Sequence, residues 1–186
     1  MARRKTISDE AVLDAALGVM IAKGPHSYTL ADIAAVAGIS PATLLQRFGD
    51  KRRLAVAVFA RDNQAFERTL AALPAAVGAA AVIAVFRLLT PDTVDIELFA
   101  DQLLWLRQDM RDPDLNQLAR ERFALLRAAV AARLPPLPMA PELAARLIEA
   151  QWQGALNQWG IEREGRLVDY VTESLAAWMI LAQRDR

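Results

Sequence analysis

The chain has 186 residues, of which 54% are hydrophobic and 24% charged, a balance that supports a sizeable core and excludes an intrinsically disordered chain. It has no cysteine and one histidine, which removes disulfide frameworks and thiolate metal sites and leaves little for a zinc or histidine-based catalytic centre. The formal net charge of zero conceals an asymmetry: residues 1–60 hold eight Lys/Arg against five Asp/Glu, whereas residues 61–186 hold 14 against 17. A basic head on an acidic body points to one end that meets a polyanion.

In chain order, Arg3, Arg4 and Lys5 form a basic arm, read either as a solvated tail or as a phosphate or minor-groove contact. No signal peptide is expected before the first helix, and the absence of cysteine fits a cytoplasmic setting. That helix starts at Ser8, carries Asp9 and Glu10 where the helix dipole favours anions, and buries Val12, Ala15, Ala16, Val19 and Met20. Gly24-Pro25 stops it, and His26 reads as a loop residue. Thr29 and Asp32 then have capping-box spacing and open a helix with Leu30, Ile33, Ala34 and Ala37 on its apolar face. Gly38 supplies a left-handed turn. Ser40 caps the next helix and Pro41 takes its first position.

The helix Pro41–Phe48 carries no acid and offers Thr43 and Gln46 on one face. Glutamine suits adenine in the major groove, and the threonine methyl suits that of thymine. Asp50 caps a further helix whose first turn holds Lys51, Arg52 and Arg53. Helix, glycine turn, short polar helix and basic helix start together read as a helix-turn-helix presented to DNA. Thr29, Ser40 and Lys51 sit at helix starts, where free N–H groups favour phosphate.

Thr29, Ile33, Ala34, Ala37, Gly38, Ile39, Ser40, Leu44, Phe48 and Lys51 stand at the spacing of the DNA-binding domain of the tetracycline repressor (TetR) family, which this stretch resembles over roughly Ile7 to Val58. That family usually has a tyrosine where this chain has Leu45, and histidine or tyrosine where it has Arg47. Its tyrosine helps hold a phosphate, so Arg47 is expected to take over that contact. The expected DNA-facing set is the arm Arg3, Arg4 and Lys5 with Thr29, Ser40, Pro41, Ala42, Thr43, Leu45, Gln46, Arg47 and Lys51.

Beyond Asp50 the pattern remains helical: Asp50–Leu73, Ala75–Leu89, Val94–Met110, Asp114–Arg133, Glu142–Trp159 and Arg166–Gln183, the last two separated by Gly160. The apolar run Ala71–Leu89 is too short and too interrupted to span a bilayer. The expected fold is all-α, about nine helices, with a three-helix head over residues 1–53 and a body over 54–186. Phe86, Phe99, Leu103, Trp105, Phe123 and Leu126 read as plain core or as walls of a small-molecule cavity. Arg122 falls in the apolar arc of its helix, so it snorkels, pairs with Glu97 or Asp101, or anchors an anionic ligand.

The resemblance implies a small-molecule effector site in the body, a mechanical role for the fourth helix, and a four-helix interface between two copies. Trp152, Ala155, Trp159, Val171, Leu175 and Trp178 are the residues expected there. The reading is a homodimeric repressor that binds a double-stranded operator and is released by an effector, with no cofactor and no metal. The alternatives are an activator or a ligand-independent DNA-binding protein. A small helical enzyme lacks the nucleophile–base pairs it would need.

Overall fold

A computed structural model describes residues 7–92 and 95–183, and among these residues there are nine α-helices and no strand. They are α1 (Asp9–Ser27), α2 (Leu30–Ala37), α3 (Pro41–Phe48), α4 (Lys51–Ala71), α5 (Ala79–Leu89), α6 (Ile96–Arg111), α7 (Pro113–Ala131), α8 (Pro141–Glu162) and α9 (Leu167–Gln183). The all-α expectation therefore holds. No helix of the described residues is long and apolar enough to cross a membrane. The chain forms two compact units, one running to Phe66 and including Ala100–Glu121, the other made of Glu67–Phe99 and the residues from Arg122 onward.

In the first unit, Ser8 caps α1 by accepting the Ala11 N–H at 3.2 Å. At Gly24 the backbone turns to φ 70°, ψ 168°, and the helix is kinked there, with one further turn, Pro25–Ser27, beyond the expected stop. Only glycine fits, because φ is positive and a Cβ would also collide with the Asp101 carboxylate. Val12, Ala16, Met20, Ile33, Leu44, Leu54 and Val58 close one core under α1 to α4. The expected boundary after Arg53 falls inside α4, and Leu54, Ala55 and Val58 beyond it belong to this core. Trp105 of α6 packs against the same core, stacked on Tyr28 (centroids 6.0 Å apart) and edge-on to Phe59 (5.1 Å). It is thus part of the head's packing, which its place in the sequence, 46 residues beyond Phe59, did not announce.

In the second unit, α8 and α9 pack together and α5 lies against α9. Helix α5 begins at Ala79 rather than Ala75: Gly78 has φ 131° and ties its N–H to the Arg133 carbonyl at 2.9 Å. Arg133 in turn donates to Leu73 O (3.1 Å), in the loop after α4, and to Ala129 O (2.9 Å), one of the carbonyls left free at the end of α7. The buried Thr90 hydroxyl donates to Phe86 O at 2.8 Å and accepts from Trp152 Nε1 at 3.3 Å, while the Trp152 ring lies 5.4 Å from that of Phe86.

Gly160 does not end α8. The helix continues to Glu162 and stops at Arg163, whose φ of 56° is left-handed. Glycine at 160 serves a different need, since a Cβ there would come 2.5 Å from the Phe99 ring. Phe99 also meets Trp159 edge-on at 5.8 Å. Glu149 is buried beside Arg127 (3.2 Å); burial raises its pKa, and the guanidinium opposes the rise.

The sequence of α8 carries two apolar stripes, Ile148, Trp152, Ala155 and Trp159 on one side and Leu143, Leu147, Ala150 and Gly154 on the other, and the structure separates them. Ala155, Val171 and Leu175 are 0% exposed and Trp159 is 9% exposed, so these side chains lie largely within the chain's own core. Trp152 and Trp178 are half-buried. The arc left open is the other one: Leu143 (49% exposed), Leu147 (41%), Ala150 and Gly154, at spacings of four, three and four that keep one face of the helix.

Candidate nucleic-acid interface

The helix-turn-helix is held by its caps. Thr29 N–H donates to Asp32 Oδ2 at 2.9 Å, and Asp32 N–H donates to Thr29 Oγ1 at 3.1 Å, the reciprocal pair of a capping box. Asp32 also meets Lys23 Nζ at 2.7 Å. The Lys23 hydrogen bond, followed by those from Thr29, lowers the Asp32 pKa from 3.8 to about 2. Gly38 takes the left-handed conformation, φ 67°, and the next N–H, from Ile39, reaches back to Ala34 O at 3.0 Å. That turn aims α3.

Ser40 Oγ accepts the Thr43 N–H at 3.1 Å and lies 2.8 Å from Thr43 Oγ1. Leu44 is 1% exposed and anchors α3 to the core, while Pro41, Ala42, Leu45 and Gln46 stand exposed and Thr43 is half-buried. An eight-residue helix with a buried anchor and a row of small or uncharged side chains outward has the dimensions to enter a major groove. The hydroxyls of Thr29, Ser40 and Thr43 are all engaged in local bonds, so these residues hold helix starts in place.

Two expected phosphate contacts have protein partners. Arg47 Nη1 donates to Ile7 O (2.9 Å) and Asp9 Oδ1 (3.2 Å), which folds this side chain onto the start of α1. Lys51 Nζ donates to Tyr28 O at 2.8 Å and sits 3.8 Å from the centroid of the Tyr28 ring. Burial raises the Tyr28 pKa to about 12. Arg52, which the sequence placed only in a basic flank, bonds Asp112 with Nε (2.5 Å) and Nη2 (2.8 Å), and Asp114 with Nη2 (2.7 Å). These bonds raise the Arg52 pKa, and the guanidinium holds Asp112 below its usual value. The pairing spans 60 residues, and the only signal for it was the two carboxylates flanking Pro113. The arm residues Arg3, Arg4 and Lys5 lie outside the described residues.

The expected effector residues fall in both compact units. Trp105 belongs to the head's core and Leu103 is 48% exposed in the same unit. In the second unit Phe86 and Leu126 are buried, Phe99 packs on Trp159, and Arg122 and Phe123 are half-buried.

Residues 12–58 match the model of the bacterial regulatory proteins of the tetR family. Comparison with curated proteins gives no match. Among solved structures, the chain is similar to a transcriptional regulator from Rhodococcus sp. Rha1 (17% identity, TM-score 0.77, 95% of this chain and 96% of that one covered). It is similar to a member of the TetR family from Streptomyces coelicolor A3 (25% identity, TM-score 0.65, 91% and 98% covered). A third likeness is to the transcriptional regulator FadR from Bacillus subtilis in complex with stearoyl-CoA (16% identity, TM-score 0.59, 93% and 98% covered). The family match thus covers most of α1, all of α2 and α3, and the first part of α4, and the likeness to solved structures extends the shared fold over the rest of the chain.

Proposed function

We propose that the protein is a sequence-specific DNA-binding transcriptional regulator, a homodimeric repressor released by a small-molecule effector. The observation that carries DNA reading is α3: capped at Ser40, anchored by buried Leu44, and exposing Ala42, Leu45 and Gln46. Gln46 reads a base edge, and the helix starts at Thr29, Ser40 and Lys51 meet phosphates. The exposed arc Leu143, Leu147, Ala150 and Gly154 supports a two-fold interface built on α8. Two heads on such an axis read half-sites roughly 34–36 Å apart, so the operator is a pseudo-palindrome.

The reading puts the effector site in the second unit, around Phe86, Phe99, Phe123 and Leu126 with Arg122 as its polar residue. The stearoyl-CoA complex of the Bacillus subtilis regulator supports the idea that a protein of this fold admits a ligand with a long apolar part. Effector and operator oppose one another through a single coupling free energy, so each weakens the other by the same factor.

In vitro selection from random duplex DNA tests the reading. The full chain should enrich a two-fold site, and purified protein should bind it with a strong salt dependence. Enrichment of a single unpaired half-site would remove the dimer model, and no enrichment at all would remove sequence-specific reading.

A further inference from the structure

Within the first unit, an open cleft of about 610 Å³ lies between the end of α1, the start of α4 and the junction of α6 with α7. Its volume falls within the roughly 300–1,000 Å³ typical of small-molecule sites. Lys51, Arg52, Arg107 and Arg111 line it, with Asp112 the one carboxylate of the lining, and Pro25, Tyr28, Ala55 and Leu115 give it an apolar side. Asp112 is already spoken for: it accepts from Arg52 and from the N–H groups of Asp114 and Leu115. Arg107 and Arg111 stand four residues apart on α6, both are exposed, and neither side chain has an ion pair or hydrogen bond among the described residues. Like charges at this spacing repel one another. The cleft thus gathers positive charge that the protein leaves unmatched.

We propose that this cleft binds a small, multiply charged oxyanion, a phosphate ester or a polycarboxylate, clamped by Arg107 and Arg111 with Arg52 and Lys51 behind them. Guanidinium forks suit such groups because they donate parallel hydrogen bonds to paired oxygens. The site is separate from the effector region proposed in the second unit and from the outward face of α3. It holds or fails independently of either.

The test uses the full chain at low salt with two probes, inorganic pyrophosphate and citrate, followed by calorimetry and tryptophan fluorescence. Trp105 stacks on Tyr28, a cleft residue, so it reports occupancy. One site per chain is expected, with a fluorescence change that Trp105→Phe abolishes. The double variant Arg107→Gln/Arg111→Gln should fold normally by circular dichroism and bind at least about tenfold more weakly, the loss of two charge-assisted contacts. Tighter binding of pyrophosphate than citrate assigns the phosphate ester, and the reverse assigns the polycarboxylate. Absence of saturable binding by both probes, or binding unchanged in the double variant, overturns the proposal. It is also overturned if the double variant loses affinity for random-sequence duplex DNA with a salt slope lower by roughly two units, because the cleft then holds DNA phosphates.

Discussion

The ammonium of Lys51 is 2.8 Å from the carbonyl oxygen of Tyr28 and 3.8 Å from the centroid of the same residue's ring. One side chain at the start of α4 therefore fastens the turn that leads into α2. An ammonium has three donors, and this arrangement leaves the others for an anion. Lys51→Ala should accordingly do two things. It should weaken cognate and random DNA alike and lower the salt slope by roughly one unit, the signature of a phosphate contact. It should also reduce stability by about 1–2 kcal/mol in urea unfolding, through the lost charge-assisted bond and cation–π contact. A stability loss with unchanged affinity for random DNA makes Lys51 a clamp alone.

Gln46 should behave in the opposite manner. Its side chain is exposed on α3, so Gln46→Ala should leave the unfolding midpoint unchanged. On the selected operator it should cost about 1–3 kcal/mol and relax preference at one base position in each half-site. Binding-site selection repeated with the variant measures this. An unaltered consensus shows that α3 lies in the groove in another orientation.

Gly154 separates folding from association. A Cβ at this position meets nothing within 4 Å in the protomer, so Gly154→Leu should fold and gain up to about 1 kcal/mol of helix stability. The same bulk on the exposed arc of α8 should prevent close approach of a second copy. Sedimentation velocity should then find a dimer for the wild type and a monomer for the variant. A dimer that survives Gly154→Leu is assembled through some other face.

Asp32 gives a pH prediction. Its pKa is lowered from 3.8 to about 2, chiefly by Lys23, so its contribution to stability is fully present above 3.8 and is lost as pH falls through about 2. Removing Lys23 with Lys23→Met should move the titration of Asp32 upward and shift acid unfolding to higher pH. A carboxyl-detected NMR titration reads the first change directly. A midpoint near 3.8 in the wild-type protein would sink the capping-box assignment of this charge.

Local chemistry was the legible part of the sequence. The capping box at Thr29 and Asp32, the left-handed turn at Gly38, and the span Pro41–Phe48 depend on residues within four positions of one another, and the structure has all three. What resisted reading depends on distance in the chain. The partner of Arg52 is 60 residues away, and Trp105 joins a core whose other members end near Phe59. Gly160 resembles a helix stop, yet its missing Cβ answers to Phe99 on another helix. A helix with two apolar faces is ambiguous for the same reason. Periodicity identified both stripes of α8, but only packing decides which one, Ile148–Ala155 or Leu143–Gly154, is taken up within the protomer.

The ties of Arg52 to Asp112 and Asp114, and of Trp105 to Tyr28 and Phe59, bear on how such a head can be moved between proteins. A chimaera built by joining residues 1–53 to a foreign body would leave behind Leu54, Val58 and Trp105, and with them the floor on which α1 and α2 rest. It would also strand Arg52 without either carboxylate. A transplantable cassette has to be discontinuous: the chain as far as Phe66, together with Ala100–Glu121 grafted at a second junction. Recombination at a single point therefore makes poor hybrids of this protein, even where the donor's recognition helix is copied letter for letter.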